Sequence, residues 1–193
     1  MNVVITRAAS RDPILLGEAK EHLQVEHTRD DRYIRSLIRA ATSWAESFTS
    51  RKLINTTLTV TFDANEIAGR FQLPYSPVFS ITSFKVFNVD GTEEPVSTDY
   101  YYQSGDNPGY IVPEDGGWSL YRPWKAGEVR YISGYGTSGK SVPDDLLHAI
   151  KMIVADLYHN PESAKLETRT QLNANEIPFS ARTLLEPYRV YTY

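Results

Sequence analysis

The feature that most restricts the fold of this chain is a double change of hydrophobic period. Apolar residues recur at helical spacing up to about residue 49, alternate with period two from about 53 to 136, and return to helical spacing from about 143. A helix buries one stripe and a half-buried strand buries alternate residues, so a chain that changes period twice is read as α+β.

The first helical signal covers 16–25, with Leu16, Ala19 and Leu23 on one face. A second and sharper one covers 30–49, opened by Asp30 as N-cap. There Tyr33, Ile34, Leu37, Ile38, Ala41, Trp44, Ala45 and Phe48 form a core-facing stripe. The opposite side gathers Arg29, Arg32, Arg35 and Arg39 at steps of three, three and four. This basic stripe is a candidate contact for DNA phosphates or for an acidic partner. The plainer reading is a solvated polar face.

In the middle, Leu58, Val60 and Phe62 alternate with Thr57, Thr59 and Thr61, the pattern of a half-buried strand. Further strands are expected at 71–73, 81–89, 100–103, 110–112 and 128–132. Turn formers separate them: Pro74, Asp90-Gly91, Asn107-Pro108-Gly109 and Gly116-Gly117. Short consecutive strands without intervening helices cannot make parallel crossovers, so the sheet should be antiparallel. A third helix is bounded by Pro143 in its first turn and by Asn160-Pro161 at its end. Asp144 and Asp145 suit its positive pole, and Leu146, Leu147, Ile150, Ile153, Val154, Leu157 and Tyr158 form its core face. Residues 162–176 are polar and aperiodic and read as a loop or arm. After Pro178 a short helical pattern over 179–186 ends at Pro187, and an aromatic tail follows.

Composition excludes several classes. The 193 residues contain no cysteine, which removes thiolate metal sites, disulfides and a Cys nucleophile and fits a reducing compartment. Arg7 and Asp12 interrupt what a secretory leader would need as an apolar run. No stretch approaches the roughly 18 to 20 apolar residues of a membrane span. A net charge of −4 argues against a surface that grips nucleic acid throughout.

One motif argues for chemistry. Gly134-Tyr135-Gly136-Thr137-Ser138-Gly139-Lys140-Ser141 matches the phosphate-binding loop pattern G-x-x-x-x-G-K-[ST] between a strand and a helix. Nucleotide binding is therefore the alternative function. Against it, Pro143 disfavours helix at Val142 and should leave Lys140 and Ser141 in a loop. The downstream Asp156 falls inside a helix instead of ending a strand, and too little chain follows for further parallel crossovers. Among the histidines, His22, His27, His148 and His159, the last two share a helix face but stand about 16 Å apart at helical rise, too far for one metal. Glu93-Glu94 beside a turn reads as solvated carboxylates. No catalytic residue, cofactor or metal is assigned.

In order along the chain, Leu16-Gly17-Glu18-Ala19-Lys20-Glu21-His22-Leu23-Gln24-Val25, an aspartate pair leading a helix, Gly134-Tyr135-Gly136, a proline before a helix ending in Leu157-Tyr158, and Leu184-Leu185-Glu186-Pro187-Tyr188-Arg189 together resemble the head-tail connector (adaptor, or head completion) family of tailed bacteriophages. Leu15, where that family usually has a serine or threonine cap, and Pro161, in place of an arginine, depart from the pattern. The resemblance implies a small antiparallel helical bundle with a long antiparallel β insertion between the second and third helices. It implies one connector domain over 1–193, made of N-terminal helices over 16–49, a β insertion over 53–136, a long core helix over 143–160, and a C-terminal arm and short helix over 161–193.

It also implies a non-enzymatic virion protein at the head-tail interface, assembled in the host bacterial cytoplasm. The expected partners are the portal protein, neighbouring copies in a ring of twelve, and the next connector or tail protein. DNA is expected to pass through the channel without sequence-specific binding, and no membrane is involved. The 13 tyrosines and 3 tryptophans suit an interface protein. Trp44 and Tyr158 lie on core stripes and are read as core. Leu184, Leu185, Tyr188, Arg189, Tyr191 and Tyr193, in a tail too short to own a core, are the candidate surface for the portal or a neighbouring subunit.

Overall fold

The computed structural model describes residues 1–66, 70–97, 101–104, 108–113, 125–160 and 178–191, with the backbone alone described for 101–104. The fold is mixed α and β with antiparallel sheets. The chain divides into two compact units, each assembled from separated stretches of sequence. One comprises 1–10, 50–137 and 190–193, and the other comprises 11–49 and 138–189.

Among the described residues the β unit contains eight strands. These are β1 (Asn2–Arg7), β2 (Thr56–Phe62), β3 (Phe71–Gln72), β4 (Val78–Phe87), β5 (Glu93–Pro95), β6 (Tyr101–Ser104), β7 (Tyr110–Pro113) and β8 (Gly127–Ser133). Five of them form one sheet in the order β1-β2-β8-β4-β5, and three form another in the order β3-β7-β6; every pairing is antiparallel. The threonine alternation of β2 does what its period demands. Leu58, Val60 and Phe62 are buried, and Thr57, Thr59 and Thr61 turn to the other face. They join Phe71, Leu73, Phe84, Val86, Ile111, Val129 and Tyr131 in one core shared by both sheets. The Tyr131 hydroxyl, fully buried, donates to the Pro74 carbonyl, and burial raises its pKa far above the ordinary phenol value.

Two strands were not expected. Five of the six residues of β1 are exposed, so it carries no alternation of burial that a sequence pattern could report. β5 contains Glu93 and Glu94, both exposed, which pair in register with Phe87 and Val86 of β4; the Glu93 carboxylate is not simply solvated as expected but accepts a hydrogen bond from the Lys85 ammonium at 2.6 Å. The expected Asp90-Gly91 turn sits between these two strands, with Gly91 at φ +91°. The expected turns at Asn107 and Gly116-Gly117, the start of the 100–103 strand, and the 162–176 arm lie outside the described residues.

The helical unit holds α1 (Leu16–Leu23), α2 (Asp31–Thr49), α3 (Asp144–His159) and α4 (Phe179–Leu185). Leu15 cannot cap α1 with its side chain. Instead its backbone N–H donates to Glu18 Oε2 at 2.7 Å, half of a capping box. Asp30 stands at the N-cap of α2, but its carboxylate accepts the Tyr158 hydroxyl at 2.7 Å. Pro143 is the residue before α3, with ψ 137°, and does not open its first turn. Ala19, Ile34, Leu37, Ile38, Ala41, Ala45, Leu146, Ala149, Ile150, Ile153, Val154, Ala181 and Leu185 are buried within this unit. Tyr33, Trp44, Phe48, Leu147, Leu157 and Tyr158, expected in the core, sit at its rim: Tyr33 is exposed and the others are half-buried. They flank the stripe instead of centring it, and the ring bodies cover apolar surface while hydroxyls reach polar partners.

Candidate interaction surfaces

The phosphate-loop pattern can be tested atom by atom. Gly139–Ser141 form a single 3-10 turn and Val142 is extended, so α3 starts beyond Lys140 and Ser141. Two of the amides nearest the helix are spent locally. Ser141 N–H donates to the Ser138 carbonyl at 3.2 Å and Val142 N–H to the Gly139 carbonyl at 2.9 Å. Both glycines have steric reasons to be there. Gly134 has φ +139°, and a Cβ on it would lie 2.6 Å from the Asn55 nitrogen; a Cβ on Gly139 would lie 2.0 Å from the Pro13 carbonyl oxygen. Lys140 and Ser141 thus lie before α3, as the position of Pro143 led us to expect, and close backbone packing accounts for the two glycines.

At the C-terminal end, Pro178 precedes α4 and Pro187 lies in the 3-10 turn Glu186–Tyr188 that follows it. α4 packs chiefly on α3 and more lightly on α2. Ala181 and Leu185 face inward at 0% exposure, so Leu185 is occupied by its own unit. Leu184 and Tyr188 are half-buried, and Arg189 and Tyr191 are exposed. The Tyr188 hydroxyl donates to Asp145 Oδ2 at 3.3 Å. Arg189 is engaged as well, 3.6 Å from Glu186 and with its guanidinium 5.0 Å from the centre of the Phe48 ring. Arg182 approaches the same ring at 5.8 Å, and Trp44 stacks on it at 5.0 Å. The exposed part of this end is an open, mostly apolar depression bordered by Phe179, Arg182, Thr183, Glu186 and Pro187, with Phe179 84% exposed. The sequence reading missed Phe179 because it marked the start of a helix; its exposure depends on which face α4 turns inward. Tyr193 lies outside the described residues.

Arg29, Arg32, Arg35 and Arg39 are all exposed, and the last three project from the face of α2 opposite Ile34, Leu37, Ile38 and Ala41. The structure brings together one pair that the spacing of the histidines did not suggest. His22 of α1 and His148 of α3 meet edge to face with ring centroids 6.0 Å apart. Partial burial, then His148, then Lys151 lower the pKa of His22. Among the described residues no group of three or more His, Asp or Glu could hold a metal, and no helix is long and apolar enough to cross a membrane.

Residues 13–99 match the model of the phage gp6-like head-tail connector protein family. Three solved structures superpose on the chain with a TM-score of 0.78 at 22% identity, covering 100% of this chain and 97% of each counterpart. They are the neck of an empty gene transfer agent particle computed with C6 symmetry, the virion of a native gene transfer agent particle, and the neck of the native particle computed with C12 symmetry. At this identity the likeness establishes a common fold. No curated protein matches the chain.

Proposed function

We propose that this chain, which resembles the head-tail connectors of tailed phages and matches their family over residues 13–99, is a structural connector of a phage-like particle. It works as one subunit of a ring beneath the portal, joining the capsid to the tail and extending the DNA channel. The family match is the observation that carries the reading. The full-length likeness to a chain of gene transfer agent necks supports it, and the C12 symmetry of one of those necks supports twelve copies.

Several finer statements follow from the same reading. The helices over 16–49 and 143–160 belong to one antiparallel bundle into which the β region over 53–136 is inserted, and the whole of 1–193 acts as a single connector domain. The portal and the neighbouring copy meet the C-terminal end, where Leu184, Tyr188, Arg189, Tyr191 and Tyr193 form the contact and buried Leu185 fixes the helix that presents them. Arg29, Arg32, Arg35 and Arg39 face DNA in the channel or an acidic partner surface. The next connector or a tail protein takes the opposite end of the ring. Assembly takes place in the bacterial cytoplasm, and the work is mechanical, with no catalytic residue.

A ring requires a heterologous interface whose rotation closes. Electron microscopy of the full chain mixed with its portal should give class averages of a ring coaxial with the portal. A stable twofold dimer, with no ring even beside the portal, would sink the reading.

A further inference from the structure

The two edges of the five-stranded sheet are built in opposite ways. Soluble proteins blunt exposed edges with charges, prolines and short strands. β5 has all three: three residues, Glu93, Glu94 and Pro95. Its backbone is also poor in donors. Val96 N–H donates to the Phe84 carbonyl, and in an antiparallel ladder alternate amides share a side. The Glu94 amide therefore points into the sheet, Pro95 has no N–H, and Glu93 is the one β5 residue able to donate outward.

β1 is six residues long and has neither proline nor charge before its last residue, Arg7, and the one irregularity in its pairing is a register shift between Ile5 and Arg7. Among the described residues it pairs only with β2. Ile5 stands opposite fully buried Leu58, so its register places it on the core face, yet it remains 52% exposed. Val4 on the other face is 52% exposed too. An added strand would cover Ile5 and extend the core past the present edge.

We propose that the β1 edge of one copy receives the β4–β5 hairpin of a second copy, joining the five-stranded sheets head to tail. The occupant follows from complementarity. β1 offers exposed Val4 and Ile5 with Arg7 beyond them; the hairpin offers Val89, 79% exposed, with the Glu94 carboxylate beside it, Glu93 being paired with Lys85 of its own strand pair at 2.6 Å. Pairing of β1 with β1 would be isologous and give a twofold dimer, whereas β1 with β5 is heterologous and can close a ring. The single outward donor on β5 makes each contact short and weak, so it is stable only when repeated around a closed assembly. This inference rests on the ring reading above.

Charge exchange tests it without requiring a known register. Arg7→Glu and Glu94→Arg should each raise the concentration of full chain needed for ring assembly about three- to tenfold, and the double variant should recover most of the loss. The chain has no cysteine, so Val4→Cys with Val89→Cys and a short bis-maleimide should give a ladder of covalent multimers, while either single variant should not. A dimer from Val4→Cys alone would overturn the proposal in favour of β1 pairing with itself. Rings that form normally in all variants, with no ladder and no charge effect, would overturn it and leave the ring reading intact. Absence of any ring from the wild-type chain, even with portal, would remove both.

Discussion

His22 sets a pH dependence that can be signed. Because partial burial, then the neighbouring His148 and Lys151, hold the folded-state pKa of His22 below its ordinary 6.5, the unfolded chain binds the proton more tightly. The contribution of His22 is therefore intact above pH 6.5 and is lost as the pH falls below 6.5 toward the folded-state value. Thermal melts between pH 8 and 5 should show stability falling through this window, and His22→Gln should flatten that part of the curve. An unchanged slope in the variant would show that other groups govern it. Lys140 lies at the other end of the functional argument. The Ser141 and Val142 amides are committed to the turn and Val142 is extended, so Lys140→Ala should leave assembly intact. Calorimetric titration of the wild-type chain with ATP or GTP and magnesium should give no heat of binding. Micromolar binding abolished by the substitution would revive the nucleotide reading.

α4 is where the expectation from sequence and the observed packing part most clearly. A short helix after a polar stretch reads as an outward-reaching arm, and removal of everything after Glu176 would then spare the fold. Ala181 and Leu185, both fully buried, argue otherwise: α4 closes part of the helical core. Leu185→Ala should cost about 2–5 kcal/mol of stability, the range for emptying a buried leucine site. Leu184→Ala, at a half-buried position, should cost about 1 kcal/mol or less while weakening attachment to the portal. Equal losses of stability from both would show that the helix presents no separate outer face. The inward face of α4 was beyond the sequence reading because a seven-residue helix fits too few periods to say which side is apolar. α2 was legible for the converse reason. Within its nineteen residues the stripe Ile34, Leu37, Ile38, Ala41 and Ala45 runs for about three turns. Likewise β2 announced itself by alternation, whereas β1 and β5 are exposed on most or all positions and leave no such trace.

For the whole molecule, native mass spectrometry of isolated necks should give a ring close to twelve chain masses of 21.9 kDa. Another copy number would leave the connector reading standing and correct its stoichiometry. The general character of the fold was legible because the hydrophobic period changes twice, and each change falls near a boundary between the two units. The assembly of those units was not, since pairings such as β1 with β2 or Gly139 with Pro13 join residues far apart in sequence.

That last contact has a consequence for how the chain is made. The helical unit draws α1 and α2 from residues 11–49 and α3 and α4 from 138–189, so everything from 50 to 137 must be translated between its halves. At 5–20 residues per second that interval is on the order of ten seconds. Throughout it the apolar face of α2 waits beside the ribosome without the helix that will cover it. Loop closure itself adds little cost, since doubling a loop's length adds only about 0.6 kcal/mol. The exposure of that face in the nascent chain before α3 emerges is the greater hazard in producing this protein.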